Sequence, residues 1–270
     1  MSMFAMNTSR FPKDVDLAFI TIHGTFGEDG QLQQILEERG VAYTGDGVEA
    51  SRAAFDKILS KEKFREHSVV TPEWEVVEVG QRPTISVPLV VKPARQGSTV
   101  GVVIVKNASE LDSAMAEAGK LRSQIVDRKI CVGPRKLTIG VLGDQALPIL
   151  EIIPKGGFYD FNNKYPFLNP QGGGGAEHVC PAKIDPKSRR NKFRNRRCMR
   201  FARSAWLFTV VSMCCLPDSG EPFVLEVNTI PGMTEASLAA RSRCGCRYQL
   251  CRSLRADHRA FSPERKGAGR

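Results

Sequence analysis

The chain has 270 residues, with 39 Lys and Arg against 29 Asp and Glu, a formal net charge of +10, and 8 cysteines. That length allows two or three modest domains, each able to bury a core. No apolar run reaches the length of a membrane span, and "MSMFAMNTSRF" lacks the hydrophobic region of a signal peptide, so a cytoplasmic enzyme or binding protein is expected. The positive charge is concentrated in "KSRRNKFRNRRCMRFAR" (187–203), with nine basic and no acidic residues, and in 241–270, with nine basic and two acidic. Together these carry +16, which leaves −6 for the rest of the chain. Cys131, Cys198, Cys214, Cys215, Cys244, Cys246 and Cys251 lie in these segments or in two other atypical ones; Cys180 is the exception.

In chain order, "DLAFITIHG" reads as a buried strand over Leu17 to Ile22 that stops at His23-Gly24. "DGQLQQILEERG" places Leu32, Ile35 and Leu36 at helical spacing, with Gly40 as the C-terminal cap. "VAYTG" is a short strand, and "DGVEASRAAFDKILSKEKF" a second helix. The alternation predicts an α/β unit with a parallel sheet. "TISVPLVVKPARQGSTVGVVIVK" reads as strand, glycine-bearing loop, strand. "NASELDSAMAEAGK" carries a helix start and the apolar pair Leu111 and Met115. "KLTIGVLGDQALPILEI" predicts a hairpin around Gly143-Asp144-Gln145, and "GGFYDFNNKYPFLNPQGGGGAEHVCPAKI" a loop.

Some of these residues can carry chemistry. In "FVLEVNTIPGM", Glu226 and Asn228 stand two apart on a predicted strand, so both side chains point to one face. Two hard oxygen ligands beside a sharp turn suit Mg2+ on nucleotide phosphates, although an exposed edge strand also carries such residues. Such a site wants a further carboxylate from a neighbouring strand, where the sequence reads "VVSMCC". Lys92 at a strand end before Gly97-Ser98-Thr99 can neutralise phosphate charge, although most Gly-Ser-Thr loops are ordinary turns and the spacing is not that of a P-loop. His23, Tyr159, Lys164 and Tyr165 are candidate ligand contacts with equally plain structural readings.

In combination the motifs are recognisable. "HGTFGEDGQLQ", "YTGDGVEASRAAFDK", "PLVVKPARQGSTVGV", "GFYDFNNKY" and "FVLEVNTIPGMTEASL" occur in this order. The chain closely resembles the D-alanine–D-alanine ligases of the ATP-grasp superfamily over most of 16–187 and 216–238. The resemblance implies an α/β (α+β) ATP-grasp fold. A partial Rossmann-like first domain would span 1–56, a central subdomain 57–136, and a C-terminal catalytic domain 137–270. It implies ATP contacts from Lys57, Lys92 and Lys164, and a loop of Gln96, Gly97, Ser98 and Thr99 closing over the phosphates. His23, Tyr159, Tyr165 and Ser237 would meet D-alanine. Ser98, Tyr165, Ser237 and the Gly232 N–H would serve the reaction, while Glu226 and Asn228 would hold two Mg2+ or Mn2+. Two D-alanines are the implied substrates, ATP the cosubstrate and a homodimer the assembly. Lys164-Tyr165 implies a D-alanine rather than a D-lactate acceptor.

The sequence departs from that pattern in three places. The family's opening strand and its glutamate are missing, so the first domain is expected to be partial. The family's Arg-x-Asp falls on Val211 and Met213. The adenine-side segment reads "DRKICVGPRKL", with Lys136 where a ribose-binding acid is expected, and the terminal helix pattern dissolves beyond Leu238. A slipped reading frame accounts for the second and third. Thr209 to Met213 can be encoded so that a shifted frame gives Ser-Arg-Val-Asp; Arg128 to Cys131 likewise gives Glu-Lys-Tyr, and Ala240 to Cys251 an ordinary helical stretch. Segments 188–215 and 239–270 are therefore of doubtful frame, and this exact chain is expected to be inactive as a ligase. Another ATP-grasp carboxylate–amine ligase is the alternative. A nucleic-acid-binding protein is a further reading, with Phe193, Phe201 and Trp206 among the basic residues, but the shifted frame explains the same residues. A zinc site of Cys244, Cys246, Cys251 and His258 has spacing unlike common structural sites.

Overall fold

The computed structural model describes residues 15–78, 80–97, 100–120, 124–128, 135–142, 145–154, 175–184, 209–217 and 222–232. The predicted α/β unit is present at the start. Strand β1 (Leu17–Ala18) pairs in parallel with β2 (Ala42–Tyr43), and helix α1 (Gln31–Glu38) connects them. Helix α1 ends as its glycine predicts. Gly40 has φ +66°, its N–H donates to the Glu37 carbonyl, and the Val41 N–H donates to that of Leu36. This double closure requires a left-handed residue, which glycine adopts without cost from a Cβ.

The strand predicted over Leu17 to Ile22 is shorter in the structure. The Ile20 N–H donates to the Thr44 hydroxyl at 3.0 Å, so a side chain replaces the ladder partner and the chain leaves the sheet. Ile20 is buried with Leu32, Leu36, Tyr43 and Ile230, whereas Phe19 and Ile22 are 42% and 43% exposed.

The single helix predicted next is two: α2 (Val48–Phe55) and α3 (Lys57–Glu66). Asp56 separates them with an extended backbone, and its carboxylate accepts from the N–H groups of Ile58 and Leu59. An aspartate capping two otherwise orphan donors outweighs the continuous apolar pattern around it.

The middle of the chain forms a four-stranded antiparallel sheet in the order β3 (Trp74–Val77), β6 (Gln124–Arg128), β4 (Leu89–Pro93), β5 (Val103–Val105). Helix α4 (Leu111–Gly119) follows a capping box formed by Asn107 and Glu110. Met115 is buried and Leu111 partly so, against Val77, Leu89, Val91 and Val105.

The remaining strands make a six-stranded sheet. Its order is β10 (Ala176–Val179), β9 (Leu150–Pro154), β7 (Arg135–Leu142), β11 (Thr209–Leu216) and β12 (Phe223–Asn228), with β8 (Gln145–Ala146) also on β7. Leu142 faces Gln145, so the predicted hairpin is present with Gln145 on its second strand rather than in the turn, and Gly143-Asp144 lie outside the described residues. The stretch predicted as loop ends in β10, because His178 and its neighbours complete a ladder with β9.

Residues directly opposite in a ladder share a face, which sorts this sheet into two. One face carries Leu137, Cys214, Leu216, Val224 and Val227, packed with Ala54, Phe64 and Val69 from the α2–α3 side. The other carries Thr138, Leu150, Ile152, Met213, Glu226 and Asn228. A bulge between Met213 and Cys214 leaves Leu225 unmatched on β12. Val224 and Val227 therefore both reach the core although three residues apart, while Glu226 and Asn228 face away from it.

Candidate active site

Strand β11 is the neighbour of β12 that the sequence calls for. Met213 stands directly opposite Glu226, and Val211 opposite Asn228. On its other side Met213 faces Thr138, which faces Leu150, so one row crosses four strands as Leu150, Thr138, Met213, Glu226. Glu226 is exposed. Asn228 is half-buried, and its Oδ1 accepts from the Ile230 N–H at 2.9 Å. The Met213 side chain packs against the buried pair Leu150 and Ile152, as do Ala176 and Cys180. Thr138 is fully buried, and its hydroxyl has no hydrogen-bond partner among the described residues. A buried hydroxyl costs free energy when unmade, and neither cross-strand neighbour of Thr138, Met213 or Leu150, carries a side-chain oxygen to accept from it.

These residues do not fit two divalent cations. Mg2+ needs a near-octahedral set of oxygens, with acceptors for the waters that it keeps. Here one carboxylate faces a thioether, one partly committed amide stands opposite Val211, and no group of three or more His, Cys, Asp or Glu able to hold a metal occurs among the described residues. Lys136, two before Thr138 on the same strand, shares this face and stands between Ile152 and Cys215.

A second group of predicted residues meets at the start of α3. The Lys57 N–H donates to the Ala94 carbonyl at 2.9 Å, and its ammonium donates to the Gln96 carbonyl. Asp56 pairs with the Arg95 guanidinium at 2.7 Å. The chain leaving β4 is thus tied three times to one helix end. Lys92 lies on β4 with a half-buried side chain. Further along α3, the buried Lys61 ammonium donates to the Thr71 hydroxyl, which donates to the Val224 carbonyl on β12. Helix α3 therefore joins the loop root to the strand bearing Glu226.

The third group is the turn after His23. Glu28 accepts from the Gly24 N–H at 2.6 Å and lies 3.7 Å from the His23 ring. The hydrogen-bonding contact with Glu28 raises the His23 pKa, partial burial opposes it, and the Glu28 charge adds to the rise. A Cβ placed on Gly97 would lie 3.8 Å from the Glu28 carboxylate, so this turn abuts the 96–97 segment. Sequence reasoning passed over Glu28. Its signal was the carboxylate five residues after His23 in "HGTFGED".

Gly232 ends the described chain after β12, just beyond Thr229 and Ile230, which dock on the first unit. Ser98, Thr99, Tyr159, Lys164, Tyr165 and Ser237 lie outside the described residues, as do the basic segment 187–203 and Cys244, Cys246, Cys251 and His258.

A lid-like four-stranded sheet beside a larger antiparallel sheet, with lysines at the first and a carboxylate–amide pair on the second, defines an ATP-grasp protein. Family models narrow this. The D-ala D-ala ligase C-terminus model matches residues 57–250 and the N-terminus model residues 2–46, and the chain belongs to the D-alanine–D-alanine ligase family. Among curated relatives, the D-alanine–D-alanine ligase of Methylacidiphilum infernorum is 36% identical over 266 residues, covering 94% of this chain and 83% of that one. That of Citrifermentans bemidjiense is 40% identical over 228 residues, covering 84% and 72%. Among solved structures, the D-alanine–D-alanine ligase of Bacillus anthracis superposes with a TM-score of 0.78 at 27% identity, covering 95% of this chain and 83% of that one. The same ligase complexed with ATP gives 0.76 at 26% identity, covering 95% and 82%. A D-Ala:D-Ser ligase from Enterococcus faecalis gives 0.79 at 25% identity, covering 92% and 73%.

Proposed function

We propose that the chain descends from, and keeps the nucleotide scaffold of, an ATP-dependent ligase that joins two D-alanines for peptidoglycan precursor synthesis, and that as written it does not complete the ligation. Membership in the family supports the first part. The observation that carries the second is Met213 directly opposite Glu226.

In the reaction of the family, a D-alanine carboxylate attacks the γ-phosphate of ATP, and the amine of a second D-alanine displaces phosphate from the acyl phosphate. Lys57 and Lys92 are the groups on this chain suited to neutralising polyphosphate charge, and the 96–101 loop to excluding water from the reactive intermediate. His23, in contact with Glu28, would orient the first D-alanine, and the Gly232 N–H would meet a developing oxyanion. Val211 offers no cation to that oxyanion, and Met213 no ligand to a metal.

Phosphate release from ATP and D-alanine by the full chain tests this reading: background rates are expected, and turnover typical of the family would overturn it. The D-Ala:D-Ser ligase among the similar structures makes acceptor choice a second question. Product analysis of an active Val211→Arg/Met213→Asp variant, offered D-alanine, D-serine and D-lactate, answers it. The homodimer implied by the family is measured by sedimentation. No helix among the described residues is long and apolar enough to cross a membrane; we place the protein in the cytoplasm, which fractionation checks.

A further inference from the structure

The poor fit between this site and a pair of divalent cations has a positive side. On the sheet face that bears Glu226, the described side chains include one cation, Lys136, and one anion, Glu226. The rest include Thr138, Leu150, Ile152, Pro154, Met213, Cys215, Phe223, Asn228 and His178. Any cation bound by Glu226 would have the Met213 thioether and the aliphatic Leu150–Ile152 cluster beside it, in place of acceptors for its retained waters. The amide of Asn228 already accepts from the Ile230 N–H. Lys136, in contrast, brings a permanent positive charge to the same face without any ion.

We propose that this chain binds the bare nucleotide polyphosphate, with its lysines in place of metal, and that nucleotide affinity is indifferent to Mg2+. The proposal rests on the nucleotide reading given above. Thr138 adds a second, linked element. Its stranded hydroxyl adjoins residue 213 in the cross-strand row, so it is a positioning residue without a client: an aspartate at 213 would accept from it and be held beside Glu226.

The test measures ATP binding to the full chain by calorimetry, in EDTA and in millimolar MgCl2. Affinities within about twofold of each other are expected, whereas a rise of about tenfold or more with Mg2+ would overturn the proposal by showing that a cation site survives. Absence of ATP binding in both buffers would overturn the nucleotide reading as well, so the two failures are distinguishable. In Met213→Asp, binding is expected to become Mg2+-dependent by about fivefold or more, with Mn2+ uptake visible by electron paramagnetic resonance. Thr138→Val is expected to leave the parent's ATP affinity unchanged and to weaken Mn2+ uptake in the Met213→Asp background. A Met213→Asp protein that folds yet stays indifferent to both cations would remove Met213 as the cause. If that variant fails to fold, the parent comparison decides the matter alone.

Discussion

His23 and Glu28 make a pair whose behaviour with pH can be worked out from their geometry. Contact with the carboxylate raises the His23 pKa above 6.5. The folded state therefore prefers the imidazolium. Stabilisation from the pair is full below the unfolded histidine pKa and is lost as pH rises through the folded one, so it fades from near-neutral pH upward. Half of the His23 side chain is exposed, which keeps the effect small. In Glu28→Gln, nuclear magnetic resonance titration is expected to show the His23 pKa falling to or below the ordinary histidine value; an unchanged value would mean that Glu28 does not set it. Residues of this kind differ in how legible they are. Glu226 and Asn228 declare themselves by a two-residue spacing before Pro-Gly. Thr138 does not, since "KLTIG" alternates like any strand, and its stranded hydroxyl depends on a partner strand 75 residues later.

Among the elements, α3 shows a local choice overriding a pattern. Apolar periodicity runs through "AAFDKIL", so it predicts one helix, yet Asp56 breaks it by capping Ile58 and Leu59. The cap itself was readable, because aspartate is a favoured N-cap residue; what outweighed it was the longer stripe. Asp56→Ala is expected to lower the unfolding free energy by about 1–2 kcal/mol in urea titration, since two amides lose their acceptor. Arg95→Gln removes a surface ion pair whose guanidinium is mostly solvated, and about 0.5 kcal/mol or less is expected. Equal losses in the two variants would show that the ion pair, not the cap, matters. The hidden feature at the other end of the chain is β10. "GGGGAEHVCP" reads as loop because its glycines and proline flank a strand only four residues long.

At the scale of the whole molecule, the first α/β unit and the large sheet meet where "YTGDG" receives "TIPG". Ile230 enters the apolar cluster of Leu32, Leu36 and Tyr43, and the Thr229 hydroxyl reaches that of Ser51. Gly45 permits this approach. Its φ is +96°, and a Cβ there would stand 2.3 Å from Ile230 Cδ1 and 3.1 Å from the Thr229 carbonyl. Gly45→Ala is expected to cost about 1–3 kcal/mol through strain and overpacking together. Because valine lacks the clashing methyl, Ile230→Val in the same chain should recover part of that loss, giving non-additivity above about 0.5 kcal/mol in a double-mutant cycle. Strict additivity would mean that the two segments do not press on one another. The order of units was legible from motif order, whereas this joint was not, because it is made by a glycine and an isoleucine that carry no signal individually.

The unmatched Leu225 gives β12 two phases in one strand. Before it, Val224 keeps step with the core; after it, the alternation restarts, so Glu226 and Asn228 come out on the open side while Val227 returns inward. Leu225 is one residue beyond strict alternation, and the bulge absorbs it so that core and carboxylate each keep their face. Without the bulge, all six residues in strict alternation would turn Glu226 toward Leu137, Cys214 and Phe64. Removing the extra residue restores plain alternation, with Val224 and Val227 inward and Glu226 and Asn228 outward. Deletion of Leu225 is therefore expected to keep cooperative unfolding and the outward carboxylate, and loss of cooperative unfolding would show that the bulge itself is required.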